Sequence, residues 1–299
     1  MFLAKTITKY PNIKTIDIYM VWFLVAVVSC INEAAAPVGS ESRIVFDAVI
    51  GNDLSVSGEL GTYPENVPFK VWAYDGSGAV MDGEEVYYHN GRWNARSESY
   101  WASDALDFYA YSPADAPAEV SEDTGILFEG FDIAENSDFL CATPVIGCRK
   151  PETDLPVYMI FESPLCEVEF QAYSSSEDRV RIWITGLELK EVAHAGDYRQ
   201  VPSAKWTGLD NRKDVSVFQG RLELTEAVQK IAEPVLVIPQ KVRPVLSYEY
   251  SLDGNDAVIE LVEELNMDGM PGMMSGRRNI YTIKVTENVV SVQNPGKGE

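Results

Sequence analysis

From Ile44 onward the chain alternates short apolar runs with turn-rich clusters, at the spacing of strands rather than helices. Residues 69–74 (FKVWAY) and 106–111 (LDFYAY) place aromatic side chains on both faces. Each run stops in a turn, at Asp75-Gly76-Ser77-Gly78 and at Ser112-Pro113. Later runs of the same kind cover 166–173, 180–185, 235–239, 246–252, 280–286 and 289–292. Helical periodicity is scarce. Val258, Leu261, Val262 and Leu265 would share one helix face behind an Asp256 cap, and 224–231 gives a weaker case. Alternation with so little helix predicts an all-β protein of antiparallel sheets, each with one face buried. The segment 147–156 (GCRKPETDLP) interrupts the pattern with proline, glycine and charge, leaving two stretches of ordinary sandwich size. The expected architecture is two antiparallel β-sandwich domains of immunoglobulin or transthyretin type in tandem, 44–150 and 151–299.

The N-terminus follows a different pattern. Lys5, Lys9 and Lys14 precede an apolar run over 18–28 (IYMVWFLVAVV), and Ser29-Cys30 follows at once. That run is shorter than the roughly 20 apolar residues a bilayer-spanning helix needs, so residues 1–29 read as a secretory signal. Val27-Val28-Ser29-Cys30 resembles a bacterial lipobox, whose cysteine is acylated and becomes the new N-terminus. A plain signal peptide with a chance cysteine is the simpler alternative. Acyl chains on Cys30 would anchor the protein stably, because each buried CH₂ contributes roughly 0.8 kcal/mol. Residues 30–43, rich in Ala, Gly and Ser, read as a tether.

Charge and composition narrow the function. Acidic residues outnumber basic ones by 46 to 24, a formal charge of −22 that repels phosphate backbones and argues against nucleic-acid binding. The only histidines, His89 and His194, are too few for a His-rich metal centre and have no nucleophile arranged beside them. Adjacent carboxylates such as Glu84-Glu85 and Glu263-Glu264 suit acid–base cleavage of glycosides, but arise by chance in so acidic a chain. Cys141 and Cys148 are close enough in sequence to close a short loop, leaving Cys166 in a strand. Met267, Met270, Met273 and Met274 offer soft ligands for Cu(I) or, more simply, a flexible contact surface. Asp75-Gly-Ser-Gly and Asp253-Gly-Asn-Asp lack full calcium-loop spacing and read as turns. Trp72, Trp93, Trp101, Trp183 and Trp206 either fill cores or build a sugar-stacking platform. Trp93 and Trp101, in the polar stretch NGRWNARSESYW, are the candidates for exposure.

The ordered set of segments resembles the fimbrillin (major-fimbrial-subunit-like) family, the lipoprotein pilins of type V pili. The resemblance is carried by FKVWAY at 69–74, Trp93 and Trp101, LDFYAYSP at 106–113, DFLCA at 138–142, residues 156–170, VIPQ at 237–240 and YTIKV at 281–285. It implies a non-enzymatic protein without cofactor or metal, exported to the outer membrane through the lipid on Cys30. It also implies assembly into fimbriae by strand donation between pilin subunits, a protease cutting after an arginine near the N-terminus. Arg43, directly before Ile44, is the only arginine between Cys30 and the body, and so is the candidate cleavage site. A surface charge flanking a first strand is the competing account. Partners would be other pilin subunits, the outer membrane and a host or bacterial receptor or glycan. The second expectation is a glycan-binding outer-membrane lipoprotein that uses exposed tryptophans.

Overall fold

The computed structural model of the chain describes residues 42–51, 60–153, 155–176, 179–252 and 258–293. The expected signal peptide, Cys30 and most of the tether lie outside these residues, as do Asp256 and the Asp253 turn. In chain order the strands begin with β1 (Phe46–Ile50), β2 (Gly61–Thr62), β3 (Phe69–Tyr74), β4 (Ala79–His89), β5 (Arg92–Ala95) and β6 (Ala105–Ser112). They continue with β7 (Glu119–Ser121), β8 (Gly125–Asp132), β9 (Leu140–Ala142), β10 (Val145–Arg149), β11 (Val157–Glu162), β12 (Cys166–Ser174) and β13 (Val180–Arg199). The last are β14 (Lys205–Glu223), β15 (Gln229–Lys230), β16 (Val235–Val237), β17 (Arg243–Leu252), β18 (Val258–Glu264), β19 (Arg278–Val285) and β20 (Val290–Gln293). Among the described residues one short helix, α1 (Ile133–Asn136), is capped by Asp132, whose carboxylate accepts from the Ala134 N–H at 2.9 Å. The protein is all-β.

The first sheet runs β10-β6-β3-β4-β5-β1-β11-β9, with β2 beside β1, and a further pairing of β9 with β6 closes it on itself. Turn chemistry sets its hairpins. The Asp75 carboxylate accepts from the N–H groups of Ser77 and Gly78 between β3 and β4. Asn90 and Gly91, both at positive φ, form the tight turn between β4 and β5. Inward-facing residues of alternate positions fill the closed sheet: Phe46, Phe69, Val71, Trp93, Phe108 and Phe161 among them. Tyr63 stands in the middle, its ring 4.7 Å from Phe161, 5.2 Å from Trp93 and 5.8 Å from Phe69. Its hydroxyl donates to Ser112 Oγ at 2.5 Å, which satisfies a polar atom deep in the barrel. Burial pushes that hydroxyl up to about 12, so it remains a neutral donor.

The outward faces of β3 and β6 are covered too. Trp72 and Tyr111 pack with Phe128 and Phe131 of β8, Phe139, Tyr198 of β13 and Ile238 in a second apolar layer. This explains why FKVWAY and LDFYAY carry aromatics on both sides: each strand has two buried faces.

The remaining strands form a six-stranded sheet, β18-β17-β13-β8-β7 with β14 on β13, and a five-stranded sheet, β15-β12-β19-β20 with β16 on β12. Val168, Phe170, Ile184, Leu187, Leu246 and Ile283 belong to the core they share. The sheets do not follow the chain order strictly. β7 and β8 join the six-stranded sheet, whereas β11, beyond residue 150, belongs to the first.

Two findings differ from the expectations. The six-stranded sheet is antiparallel throughout, but the other two are mixed, because β1 pairs with β11 and β12 with β19 in parallel. Apolar alternation is the same in both orientations, so strand direction is set by the crossovers between them. The stretch expected as a helix around Val258 is strand β18, in continuous register with β17. The β-branched Val258, Ile259 and Val262 suit a pleated surface, and the ladder to β17 outweighs the helical spacing. The weaker case at 224–231 holds only the two-residue strand β15.

Replacing Phe161, fully buried against Tyr63 and Phe69, with alanine should lower the unfolding free energy by about 3–5 kcal/mol. Replacing Tyr158 on the same strand, which is exposed, should change it by no more than about 0.5 kcal/mol. Urea denaturation of the two variants checks the assignment of the inner face.

Candidate functional site

The N-terminal entry to the barrel is built by main-chain contacts. The Ser42 carbonyl accepts from the Trp101 N–H at 3.0 Å, and the Ile44 N–H donates to the Ser99 carbonyl at 2.8 Å. Between them Arg43 forms an isolated antiparallel bridge with Tyr100. Its guanidinium lies 3.4 Å from the Glu98 carboxylate, with the arginine side chain 37% exposed. Ile44, one residue on, is buried in the barrel core. The Arg43–Ile44 bond therefore joins an accessible charge to the first core residue. β1 starts immediately afterwards and pairs residue by residue with β11, from Phe46 opposite Val157 to Ile50 opposite Phe161. A protease could take this bond in an extended conformation only after residues 42–44 lift away from 99–101.

The five tryptophans among the described residues do not form a platform. Trp93 and Trp101, the candidates for ligand stacking, are only 4% and 7% exposed and belong to the barrel core. Trp93 packs against Tyr63, Phe69 and Tyr88, and Trp101 against Phe108. The polar residues around Trp93 are the outward half of an alternating strand, with Arg92 exposed and Ala95 buried. Trp72 Nε1 donates to Asp82 at 3.1 Å, and Trp206 Nε1 donates to the Pro164 carbonyl at 3.1 Å. Trp183 differs from these. It faces outward between Glu249 and Glu223 on the neighbouring strands, yet is nearly buried. Two guanidiniums cover it, Arg221 at 4.2 Å and Arg181 at 5.1 Å from the ring centroid. Arg181 is held by a bidentate contact with Glu223, and Arg221 by Glu249. Sequence reading missed this stack, because its members come together only through the β13–β14 pairing.

The remaining candidates are dispersed. Cys141 and Cys166 are free, buried thiols, and Cys148 sits in the barrel core with its sulfur 4.0 Å from the Arg149 carbonyl. No disulfide closes the 141–148 loop. Glu85 pairs with Arg96 at 2.6 Å, Glu264 with Arg243, and Glu263 accepts from Tyr248, so neither acidic pair faces a cleft as an acid and a base. His194 Nδ1 contacts the Val192 carbonyl at 2.8 Å, while His89 is exposed on β4. Among the described residues no group of three or more His, Cys, Asp or Glu side chains could hold a metal ion. Met267, Met270 and Met273 pack on the second core and line a pocket of about 260 Å³ with Pro239 and Tyr281. A second cleft of about 420 Å³ runs between the barrel and the end of β13, past Tyr109, Ile146, Glu162 and Gln200. Gln200 crosses its floor, donating to the Ala142 carbonyl at 2.7 Å and accepting from the Ile126 N–H at 3.3 Å.

A closed aromatic barrel joined to two further sheets, with a basic residue just before the sealing strand, is the setting in which the family becomes clear. The chain belongs to the fimbrillin-like family, whose model matches residues 61–295. Membership of that family makes it a fimbrial subunit, a structural role. Among solved structures, a fimbrial protein from Bacteroides vulgatus is similar at 13% identity and a TM-score of 0.53, covering 86% of this chain and 99% of that one. A candidate cell adhesion protein from Bacteroides uniformis has 16% identity and a TM-score of 0.49, covering 84% and 97%. The fimbrial anchor protein Mfa2 from Porphyromonas gingivalis has 11% identity and a TM-score of 0.35, covering 84% and 94%. No curated protein matches the sequence.

Arg221→Ala should uncover Trp183, giving a red-shifted emission and stronger acrylamide quenching that Trp183→Phe in the same background removes. The loss of the contact should cost about 0.5–1 kcal/mol. Unchanged emission would contradict the stacked geometry. Burial pushes the Cys166 thiol up to about 12 and raises Cys141 as well. Iodoacetamide at mildly alkaline pH should therefore leave both unmodified in the folded protein and alkylate both after denaturation, as peptide mass mapping would register.

Proposed function

We propose that this fimbrial subunit is exported as a lipoprotein acylated on Cys30, is cut between Arg43 and Ile44, and assembles with other subunits by strand donation. The carrying observation is that the strand sealing the barrel, β1, begins two residues beyond Ile44. A cut there severs the link between the anchor and β1, which is then held by its ladder to β11 and by the Phe46 side chain. A donated strand from a neighbouring subunit can exchange for it, because the groove it leaves offers main-chain partners and alternate apolar pockets. The cut does not by itself expel β1, so this step is slower than in a subunit whose released segment includes the strand.

The reading also divides the body into two units in tandem, 44–150 and 151–299, which exchange strands: β11 completes the first and β7–β8 extend the second. The second unit is a β-sandwich of the five- and six-stranded sheets around their common core. The glycan-binding alternative loses its support with Trp93 and Trp101 in the core.

The test is intact mass and N-terminal sequencing of the protein from its native cell surface, with and without an arginine-specific protease. An acylated Cys30 in the precursor, a new N-terminus at Ile44 and SDS-resistant ladders are expected, and Arg43→Ala should abolish the last two. Ladders that persist with Arg43 intact would overturn the processing step. A mature protein without acylation at Cys30 would overturn the anchor.

A further inference from the structure

Arg43 is held by more than its own backbone. The bonds from Trp101 to Ser42 and from Ile44 to Ser99 flank it, so Arg43 and Tyr100 form the close pair of the bridge, with their side chains on one face. Glu98, two residues before Tyr100, reaches both from that face. One of its carboxylate oxygens lies 3.4 Å from the Arg43 guanidinium, and the other accepts from the Tyr100 hydroxyl at 2.7 Å. The tyrosine thus fixes the carboxylate that holds the arginine. On the opposite face Ile44 is 2% exposed in the barrel core, and the Trp101 ring packs against Phe108.

These contacts occupy what an arginine-specific protease must take. Such an enzyme draws the guanidinium into an acidic pocket and lines up the residues on both sides of the bond in extended form. Here the guanidinium already has a carboxylate, the main chain on either side of Arg43 is bonded to 99 and 101, and the residue after the bond is a core side chain. Releasing them is a local event. The Arg43 and Glu98 side chains are 37% and 61% exposed, and an ion pair that open shifts an equilibrium by no more than about fivefold. The ladder to β11 begins only at Phe46, so residues 42–44 can leave the loop while β1 stays in the barrel.

We infer that the loop 97–101 is a built-in restraint on cleavage at Arg43. Glu98 and Tyr100 keep the bond closed in the folded subunit, and the cut is made only in molecules whose residues 42–44 have swung off this loop. The rate of cutting then follows the population of the open form. The purpose of the restraint rests on the proposed processing at Arg43. The restraint itself is a property of the folded chain, and it is measured without the native protease or the native surface.

The experiment follows the cut between Arg43 and Ile44 by mass, in the intact folded chain treated with an arginine-specific protease. An unstructured peptide of residues 36–50 gives the unrestrained rate, and Arg277, exposed in the turn before β19, is the internal control. The folded chain should be cut at least about tenfold more slowly than the peptide. Glu98→Gln keeps an acceptor for Tyr100 but loses the charge, and should speed the cut about two- to fivefold. Tyr100→Phe should speed it by a smaller factor. Neither should change cutting at Arg277 or the melting temperature. Added salt should speed the cut in the unsubstituted chain, relative to the peptide, and not in Glu98→Gln. Cutting at the peptide's rate, or equal rates with and without Glu98→Gln, would overturn the inference. So would a urea dependence as steep as that of global unfolding, because the bond would then open with the whole barrel. A restrained bond in this assay, together with an uncut Arg43 on the native surface, would uphold the restraint and remove the processing step.

Discussion

The parallel ladder between β1 and β11 is the contact on which the first half of the molecule depends. Without it the first sheet would have two open edges, and the ring cluster around Tyr63 would face water along a slot the width of one strand. With it, β5, β1 and β11 run continuously to β9, and β9 returns to β6 to complete the wall. The two strands are distant in sequence, so the barrel closes only after the intervening strands have been laid down. Burial of Phe46 between Phe69 and Phe108 is the side-chain counterpart of that closure. The Tyr63–Ser112 hydrogen bond keeps the enclosed space free of an unmet polar atom.

A second constraint couples the barrel to the rest of the chain. β3 and β6 serve the interior with one face and the outer apolar layer with the other, and β8 and β13 supply the opposite side of that layer. Gln200 adds a polar tie, with its amide shared between the last carbonyl of β9 and an N–H of β8. The two regions are thus held by buried rings and by a satisfied amide, a combination that fixes their register more narrowly than apolar contact alone.

Much of this was legible in the sequence, and the parts that were not have identifiable causes. FKVWAY and LDFYAY were legible as strands with aromatics on both sides, but the one-faced burial expected of their sheet gave way to two buried faces, because β8 and β13 cover the outer one. The sequence does not reveal that the first sheet closes on itself, because closure lies in pairings between segments that share no local pattern. Trp93 looked exposed because its neighbours are polar, yet in a strand the immediate neighbours occupy the opposite face. The apolar positions at 258, 259, 261, 262 and 265 fit a helical face and a half-buried strand almost equally, and only the ladder to β17 separates the two. Arg43 could be picked out by elimination along the chain. That its next residue is already part of the core required the structure, as did the Arg181–Trp183–Arg221 stack.

The position of β1 has a mechanical consequence. Tension applied at residue 42 passes straight into a strand held by neighbours on both sides. A pull along the axis of β1 loads its backbone rungs together, in shear, with Ile44 and Phe46 acting as barbs in the interior. A pull across that axis meets the bonds of residues 42 and 44 to 99 and 101 first, and parts them one at a time. A surface protein arranged in this way resists a steady drag along its length far better than a sideways tug. The direction of a pull on residue 42, more than its strength, would decide when the barrel opens.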